Sequence, residues 1–274
     1  YPLPEVLIVG DESEHYCELL GAMALPEWHC RYLKAPVRGA EAYRDVEVLF
    51  GPPDLLLQSL PYCNSVKWVQ SSWAGVAPLT QAPRRDYTLT GVKGIFGGPM
   101  REYVLGWMLA LERNIPSRSQ ARSWQYSVDG SLNGKSMGIM GTGSIGCAVA
   151  QAAKGFGLKV RGLNSDGRLV DGFDACFESG SAVAFADGLD YLVALLPATN
   201  ATAGLINNGV FEALNPGALF LNAGRANCVV MTDLQSSLTS GKLRAAVLDV
   251  LECEPLPAGD PLWALENLYI TSHT

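Results

Sequence analysis

The sequence is poor in charge and in histidine. Only 17% of its 274 residues are Asp, Glu, Lys or Arg, and only three are histidine. Lys and Arg number 20 against 27 Asp and Glu, so there is no basic excess of the kind that a general nucleic-acid binder needs. No run of about 18 apolar residues is present, and we predict no membrane span. The 48% hydrophobic content is typical of a globular chain with an ample core.

Cysteine is present, but its pattern is not that of a structural framework. The seven cysteines are odd in number, scattered, and never spaced as C-x-x-C. This argues against a disulfide framework and against a zinc site, so we predict no metal and a reducing, cytoplasmic compartment. The beginning of the sequence lacks a basic segment followed by an apolar one, so no secretory signal is predicted there.

Short apolar runs alternate with helical or turn-rich stretches along the chain. Such alternation indicates βαβ units and a mainly parallel sheet. The length favours two domains, and we place them at 1–98 and 99–274, both α/β. Strands are predicted at 6–9, 31–33, 46–50, 66–70, 136–140, 159–163, 191–196, 218–222, 245–248 and 268–271.

The periodicity becomes helical at Pro99. An apolar stripe recurs at helical spacing from Tyr103 to Leu111, and Gly97-Gly98 precedes it. The stripe fits either a core-facing side or a subunit interface. Residues 115–134 are polar and irregular, and we predict a connector anchored by Trp124.

The segment G-I-M-G-T-G-S-I-G carries Gly141, Gly143 and Gly146 in G-x-G-x-x-G spacing. It follows a predicted strand and opens a helix predicted over 144–156, which is the setting of a dinucleotide-binding loop. The first glycine permits the tight turn, the second lets a pyrophosphate approach, and the third lets the helix lie against the strand. A tight turn without a ligand is the alternative. The predicted cofactor contacts are Gly141, Thr142, Gly143, Ser144, Ile145 and Gly146.

The end of the next strand bears on the choice of cofactor. NAD sites usually place an acid there for the ribose 2′-hydroxyl, whereas this sequence has Asn164, followed by Ser165. A neutral side chain does not repel a 2′-phosphate, and Arg168 is available to pair with one. Asp166 offers the opposite reading, since it could serve a 2′-hydroxyl. We favour NADP(H) over NAD(H), with Asn164, Ser165 and Arg168 as contacts.

Three chemically complementary residues follow predicted strands in the second half. Arg225, Glu254 and His273 each come just past a strand end, where ligands bind in open α/β sheets. A guanidinium holds a carboxylate through two hydrogen bonds, and a histidine beside a carboxylate can deliver a proton near neutral pH. Each residue alone is more often solvated or incidental. Together with a nicotinamide they suit hydride transfer to a 2-keto acid.

These motifs resemble the D-isomer-specific 2-hydroxyacid dehydrogenase family, which includes glyoxylate/hydroxypyruvate reductases, phosphoglycerate dehydrogenases and formate dehydrogenase. Besides the glycine loop, the matching segments are L-L-P-A-T-N-A-T, N-A-G-R-A, L-D-V-L-E-C-E-P-L-P, P-L-W and I-T-S-H-T, in the family's order. The resemblance covers most of the chain and is densest from Gly97 to His273. It implies a Rossmann-type dinucleotide domain over 99–274 and a smaller flavodoxin-like substrate domain over 1–98.

The resemblance implies a role for each residue. Arg225 would bind the substrate carboxylate, His273 would be the general acid, and Glu254 would hold His273 protonated. Asp249 would contact the nicotinamide carboxamide. Further cofactor contacts are implied at Leu196, Pro197, Thr202 and Ala223. In S-S-W-A-G-V the backbone N–H groups of Ala74, Gly75 and Val76 would meet the substrate carboxylate, although an ordinary turn is the alternative there.

The implied activity is reduction of a small 2-keto acid, of the glyoxylate or hydroxypyruvate type, to the D-2-hydroxy acid by NAD(P)H. The sequence does not specify which acid. The main alternative is a dinucleotide-sensing corepressor or binding module without turnover, and a methyltransferase is a third reading that leaves the Arg/Glu/His set unexplained. The family dimerises through the helix and connector described above, so we predict a homodimer.

The chain departs from the family pattern at three places and also in its length. Ala226 replaces the usual glycine, Ser272 the usual proline before the histidine, and Asn164 the acid typical of NAD-using members. The family continues beyond its histidine with a helix that returns to the first domain. We therefore expect the natural chain to extend past Thr274.

Overall fold

A computed structural model describes residues 3–23, 28–124, 126 and 128–273. The chain folds into two compact units, Tyr1–Lys93 and Gly94–Thr274, a division that falls five residues before the predicted boundary. Within the described ranges no helix is long and apolar enough to cross a membrane.

The N-terminal unit is built on one five-stranded parallel sheet in the order β2-β1-β3-β4-β5. This is the order of flavodoxin-like folds, so the predicted architecture is confirmed. Its strands are β1 (Glu5–Val9), β2 (His29–Leu33), β3 (Val46–Gly51), β4 (Trp68–Ser71) and β5 (Thr88–Thr90), and its helices are α1 (Ser13–Ala22), α2 (Pro53–Ser59) and α3 (Ala77–Thr80).

The C-terminal unit begins with α4 (Gly97–Glu112) and is built on a seven-stranded parallel sheet. The order β12-β11-β10-β9-β6-β7-β8 contains the doubly wound arrangement of dinucleotide-binding domains, as predicted. Its strands are β6 (Ser136–Met140), β7 (Lys159–Asn164), β8 (Ala175–Glu178), β9 (Tyr191–Ala194), β10 (Ala218–Asn222), β11 (Leu243–Leu248) and β12 (Leu268–Ile270). The helices after α4 are α5 (Ile115–Gln120), α6 (Ser144–Gly155), α7 (Ala182–Ala186), α8 (Asn208–Ala213) and α9 (Met231–Thr239).

Helices cover both faces of this second sheet. Every residue of β9 and β10 is buried, which explains why those strands read as continuous apolar runs. On one face α4 and α6 pack against the sheet, and Val104, Met108 and Leu111 are buried in that core. The apolar stripe of α4 is therefore largely core, one of the two readings that the sequence left open.

Two sequence expectations about the segment after α4 are wrong. Ile115–Gln120 forms α5 instead of an irregular connector, with Pro116 in its first turn. The side chain of Trp124 is 96% exposed within this chain, so it anchors nothing in the unit. Its neighbours Tyr126 and Val128 are also exposed.

Candidate active site

The glycine loop joins β6 to α6 at the carboxyl edge of the second sheet. Gly141 has φ of +109°, which favours glycine, and a Cβ on Gly146 would lie 2.0 Å from the Gly141 carbonyl oxygen. Both glycines are thus required by the fold itself. A Cβ on Gly143 would meet nothing within 4 Å. The fold alone does not demand the middle glycine, and the open space above it fits the approach of a phosphate to the backbone and the N-terminus of α6.

The loop after β7 is folded tightly around Asn164. The Asn164 amide donates to the Thr142 hydroxyl (3.2 Å) and to the Arg168 carbonyl (2.9 Å), which ties this loop to the glycine loop. Arg168 Nη1 pairs with Asp166 Oδ2 at 2.9 Å, and both side chains are more than half exposed. The hydrogen bond from Arg168 holds the pKa of Asp166 below its usual value. An exposed pair of this kind is weak, so the guanidinium can exchange partners.

The loops after β9 and β10 lie very close together. A Cβ on Gly224 would stand 2.6 Å from the Leu196 nitrogen, so only glycine fits where the two loops pass. The Ala223 N–H donates to the Ala194 carbonyl. Thr202 braces the first of these loops, since its hydroxyl donates to the Pro197 carbonyl at 2.6 Å.

The buried side chain of Asn222 shapes the loop that carries Arg225. Its oxygen accepts the Gly224 N–H at 3.1 Å, and its amide donates to the Arg225 carbonyl at 3.2 Å. Arg225 Nη1 bonds the Gly224 carbonyl at 2.7 Å. The guanidinium charge is near enough to Glu254 to contribute to the lowering of its pKa. Sequence reasoning missed Asn222, because nothing in the letters shows which backbone groups its amide reaches.

Glu254 and His273 form a hydrogen-bonded pair on the loops after β11 and β12. His273 Nδ1 lies 2.8 Å from Glu254 Oε2, and the other carboxylate oxygen accepts the Leu251 N–H at 2.8 Å. Burial raises the pKa of Glu254, but the hydrogen bonds from His273 and Leu251 outweigh it and hold that pKa below 4.5. With Nδ1 committed to the carboxylate, Nε2 is the ring nitrogen that remains to face a substrate. The pair borders a pocket of about 330 Å³ with Pro255 and Trp263.

Asp249 follows β11 and is hydrogen-bonded to the segment that carries His273. Its side chain is 3% exposed, and Oδ1 accepts the hydroxyl of Thr271, which in turn lies 2.8 Å from the hydroxyl of Tyr103 on α4. Its backbone carbonyl accepts the N–H of His273 at 3.0 Å. Neither Thr271 nor Tyr103 was singled out from the sequence for the site.

In the N-terminal unit, the loop after β4 turns at Ser71. The Ser71 hydroxyl accepts the Trp73 N–H and donates to the Trp73 carbonyl, both at 3.0 Å. Within the described part of the chain the N–H groups of Ala74, Gly75 and Val76 have no hydrogen-bond partner. Unpaired N–H groups in a turn of this kind suit an anion.

Comparison with known proteins agrees with this geometry. The sequence profile of "D-isomer specific 2-hydroxyacid dehydrogenase, NAD binding domain" matches residues 105–274. The chain belongs to the D-isomer specific 2-hydroxyacid dehydrogenase family. Members of this family are NAD(P)-dependent oxidoreductases, so the predicted enzyme class is confirmed.

Several curated relatives are named glyoxylate/hydroxypyruvate reductase A. The one from Enterobacter sp. (strain 638) is 30% identical over 262 residues, which is 91% of this chain and 81% of that protein. The one from Serratia proteamaculans is 35% identical over 177 residues, which is 64% of this chain but only 56% of that protein.

Solved structures of dehydrogenases share both units. A D-isomer specific 2-hydroxyacid dehydrogenase family protein from Aeromonas salmonicida is 40% identical with a TM-score of 0.90, covering all of this chain and 89% of its own. An NADPH-dependent glyoxylate/hydroxypyruvate reductase from Sinorhizobium meliloti, in complex with NADP and sulfate, is 27% identical with a TM-score of 0.83, covering 98% and 88%.

In the C-terminal unit of this dehydrogenase, the predicted site residues follow six neighbouring strand ends of one sheet. The glycine loop follows β6, Asn164 ends β7, the Leu196 segment follows β9, Arg225 follows β10, Asp249 follows β11, and His273 follows β12. In a parallel sheet these ends share one edge, so the sequence-based grouping and the observed edge coincide.

Proposed function

We propose that this dehydrogenase reduces a small 2-keto acid, of the glyoxylate or hydroxypyruvate type, to the D-2-hydroxy acid. One observation carries the proposal: the hydrogen-bonded Glu254–His273 pair, with the charge of Arg225 close to it. A paired imidazole is a proton donor, and a neighbouring guanidinium is a carboxylate receptor. The curated relatives named as glyoxylate/hydroxypyruvate reductases support this substrate class.

The residues of the C-terminal unit fit a nicotinamide dinucleotide. When bound, that cofactor supplies the hydride. Gly143 leaves room for the pyrophosphate at the N-terminus of α6, and Gly141 and Gly146 hold the loop in shape. We assign cofactor contacts to Thr142, Ser144, Ile145, Ser165, Leu196, Pro197, Thr202, Ala223 and Asp249 as well.

NADP(H) is the favoured cofactor. Asn164 brings no charge to the end of β7. Arg168, four residues further on, accepts a hydrogen bond from the Asn164 amide at its backbone carbonyl, and its guanidinium is the partner for a 2′-phosphate. Solved relatives in complex with NADP or NADPH support this choice. Asp166 opposes it, because its carboxylate neutralises Arg168 and would repel a phosphate. We therefore expect a preference for NADPH with measurable use of NADH.

The chain's own residues perform the proton step. Arg225 holds the substrate carboxylate and polarises its keto oxygen, which fixes the carbonyl relative to the imidazole. His273 Nε2 gives its proton to that oxygen as the hydride arrives at carbon. Glu254 stabilises the protonated imidazole and fixes which nitrogen faces the substrate. In the N-terminal unit, the N–H groups of Ala74, Gly75 and Val76 are the candidate ligands for a carboxylate.

The test is oxidation of NADPH or NADH, followed at 340 nm, with glyoxylate, hydroxypyruvate and larger 2-keto acids. We expect turnover with at least one of the small acids. Arg225→Ala should raise KM for the keto acid and lower kcat severely, while His273→Ala should lower kcat and leave cofactor binding intact. Full activity in either variant would disprove the assignment of that residue. Cofactor binding without turnover on any acid would favour a dinucleotide-sensing module instead.

We also propose that the protein is a homodimer. Trp124, Tyr126 and Val128 are 96%, 86% and 84% exposed, an unusual cluster of apolar side chains on one short stretch after α5. Light scattering at micromolar concentration should give twice the chain mass for the wild type. Trp124→Ser should shift the protein towards monomer, and a monomeric wild type would refute the proposal.

A further inference from the structure

A chain of hydroxyl groups runs from α4 to the end of β12. The Tyr103 hydroxyl lies 2.8 Å from Thr271 Oγ1, and Thr271 Oγ1 contacts Asp249 Oδ1. Asp249 is almost fully buried and Tyr103 is half-buried. The proposed reaction gives Tyr103 and Thr271 no role. Packing of α4 does not require a hydroxyl on Tyr103, and the end of β12 does not require one on Thr271.

The direction of these hydrogen bonds follows from counting protons. A threonine hydroxyl has one proton, and Thr271 gives it to the carboxylate, which can only accept when ionised. The Tyr103 hydroxyl must therefore donate to Thr271. Burial raises the pKa of Tyr103 to about 12, so the Tyr103 hydroxyl keeps its proton at neutral pH. The chain is polarised in one direction, from Tyr103 through Thr271 to Asp249.

The segment that carries His273 is fastened to the same aspartate. The Thr271 N–H donates to the Leu248 carbonyl at 3.0 Å, and the His273 N–H donates to the Asp249 carbonyl at 3.0 Å. His273 has φ of +56°, a left-handed conformation that is uncommon for a residue with a side chain. Two of the hydrogen bonds that hold the segment go to Asp249, one to its carboxylate from Thr271 and one to its backbone carbonyl from His273.

The rigidity of the chain before His273 has to come from hydrogen bonds to its neighbours. The residue before the histidine is Ser272, whose backbone is not restricted as a proline would be. Within the described residues the Ser272 N–H makes no hydrogen bond. The anchoring of the segment therefore depends on its neighbours, Thr271 through its hydroxyl and His273 through its backbone.

We propose that Thr271 and, behind it, Tyr103 are positioning residues that set the orientation of the His273 imidazole through Asp249. This inference rests on the proposed function for its consequence in catalysis, but the placement of the ring can be tested without turnover. Removing the Thr271 hydroxyl leaves the Asp249 carboxylate with one donor fewer and releases the strand end. The imidazole then spends less time against Glu254 and in line with the keto oxygen.

Thr271→Val is the primary test, because valine keeps the β-branched shape and removes only the hydroxyl. We expect kcat to fall about tenfold, since small misplacements of a catalytic group are costly, while the Kd for NADPH measured by fluorescence stays within about twofold. Thr271→Ser should recover most of the activity. Thr239→Val is the matched control, since its exposed hydroxyl makes one hydrogen bond far from the site, to Gln235. It should change neither quantity.

A double-mutant cycle tests the order of the chain. Tyr103→Phe should lower kcat about threefold, and Tyr103→Phe combined with Thr271→Val should be no slower than Thr271→Val alone, because Tyr103 acts only through Thr271. Adding Ser272→Pro to Thr271→Val should restore part of kcat by stiffening the backbone. Additive losses, or a Thr271→Val enzyme with wild-type kcat, would overturn the proposal.

Nuclear magnetic resonance separates this inference from the proposed function. The chain has three histidines, so the His273 ring signals can be assigned by comparison with His273→Asn. The hydrogen-bonded Nδ1 proton should be visible in the wild type and in Thr239→Val and be lost in Thr271→Val. If no keto acid is turned over but this pattern holds, the proposed function fails and the positioning role stands. If the signal is unchanged in Thr271→Val, the positioning role fails whatever the enzyme turns over.

Discussion

The middle glycine of the loop offers a direct test of cofactor placement. Gly143 has φ of −75° and ψ of −169°, a conformation open to any residue, and a Cβ there would meet no atom within 4 Å. Gly143→Ala should therefore fold normally. The lower conformational entropy of the unfolded variant stabilises the Gly143→Ala protein by about 0.4–1 kcal/mol, and the poorer N-cap offsets most of that gain, at a cost of about 0.5–1 kcal/mol. We expect its Tm to lie within about 3 °C of the wild type.

Gly146→Ala is the matched contrast three residues along the same loop. Its Cβ would stand 2.0 Å from the Gly141 carbonyl oxygen, and backbone must move to relieve that contact. Overpacking of this kind costs about 1–3 kcal/mol. In a domain of this size 1 kcal/mol corresponds to about 2–4 °C, so the Tm should fall by several degrees.

The addition of NADPH tests the Gly143→Ala variant in a second way, through the rise in Tm that the cofactor causes. A ligand present at about 100 times its Kd stabilises the wild type by about 2.7 kcal/mol. The methyl group of Gly143→Ala occupies the space that we assign to the pyrophosphate, and a loss of at least tenfold in affinity would remove about 1.4 kcal/mol of that effect. Differential scanning fluorimetry without NADPH measures the Tm of each variant, and the same measurement with NADPH gives the shift that the cofactor causes. A Gly143→Ala protein that shows the full wild-type shift would refute the assignment of the pyrophosphate to this loop.

Three further outcomes follow from the contacts of the site. The ionised Glu254 carboxylate contributes stability above the ordinary carboxyl pKa and loses it as pH falls through the lowered pKa, so the Tm gap between wild type and Glu254→Gln should close as pH falls below about 4.5. Arg168→Ala should raise the KM for NADPH about tenfold and leave that for NADH unchanged, whereas Asp166→Asn should lower the KM for NADPH; equal effects on both cofactors would contradict the 2′-phosphate contact. Asn222→Ala removes two buried hydrogen bonds, each worth about 1 kcal/mol, and should raise the KM for the keto acid more than the Kd for NADPH, because it loosens the loop that carries Arg225.

Periodicity and glycine spacing predicted most of the sheet in the C-terminal unit. The strand at Ser136–Met140 agrees with the structure residue for residue, because a buried parallel strand bounded by glycine has a strong local pattern. The strand predicted at 191–196 ends earlier, at Ala194, since its last apolar residues turn into the loop that meets Gly224. Thr88–Thr90 was missed because three polar-flanked residues carry too little pattern.

The chemistry of the site was less visible in the sequence than its location. Arg225, Glu254 and His273 were predicted from their residue types and their places past strand ends. Asn222 and Thr271, which hold these residues in place, were not predicted, because they act through hydrogen bonds to particular backbone and side-chain atoms. Trp124 was wrongly predicted to be an anchor. A lone aromatic side chain in a polar stretch suggests an anchor, but the sequence does not reveal whether that side chain packs against its own chain, and Trp124 is exposed.

The strand order of the C-terminal unit supports one direction for the dinucleotide. The glycine loop follows β6, and the loop of Asn164 and Arg168 follows β7 on one side of it. On the other side, Arg225, Glu254 and His273 follow β10, β11 and β12. With about 4.8 Å between neighbouring strands, β12 lies roughly 19 Å from β6 across the sheet. If the pyrophosphate lies at β6 as proposed, this order would place the adenosine ribose towards Arg168 and the nicotinamide towards His273. The reverse orientation would bring the 2′-phosphate beside the buried Asp249 carboxylate, which would repel it, so charge and strand order favour the same arrangement.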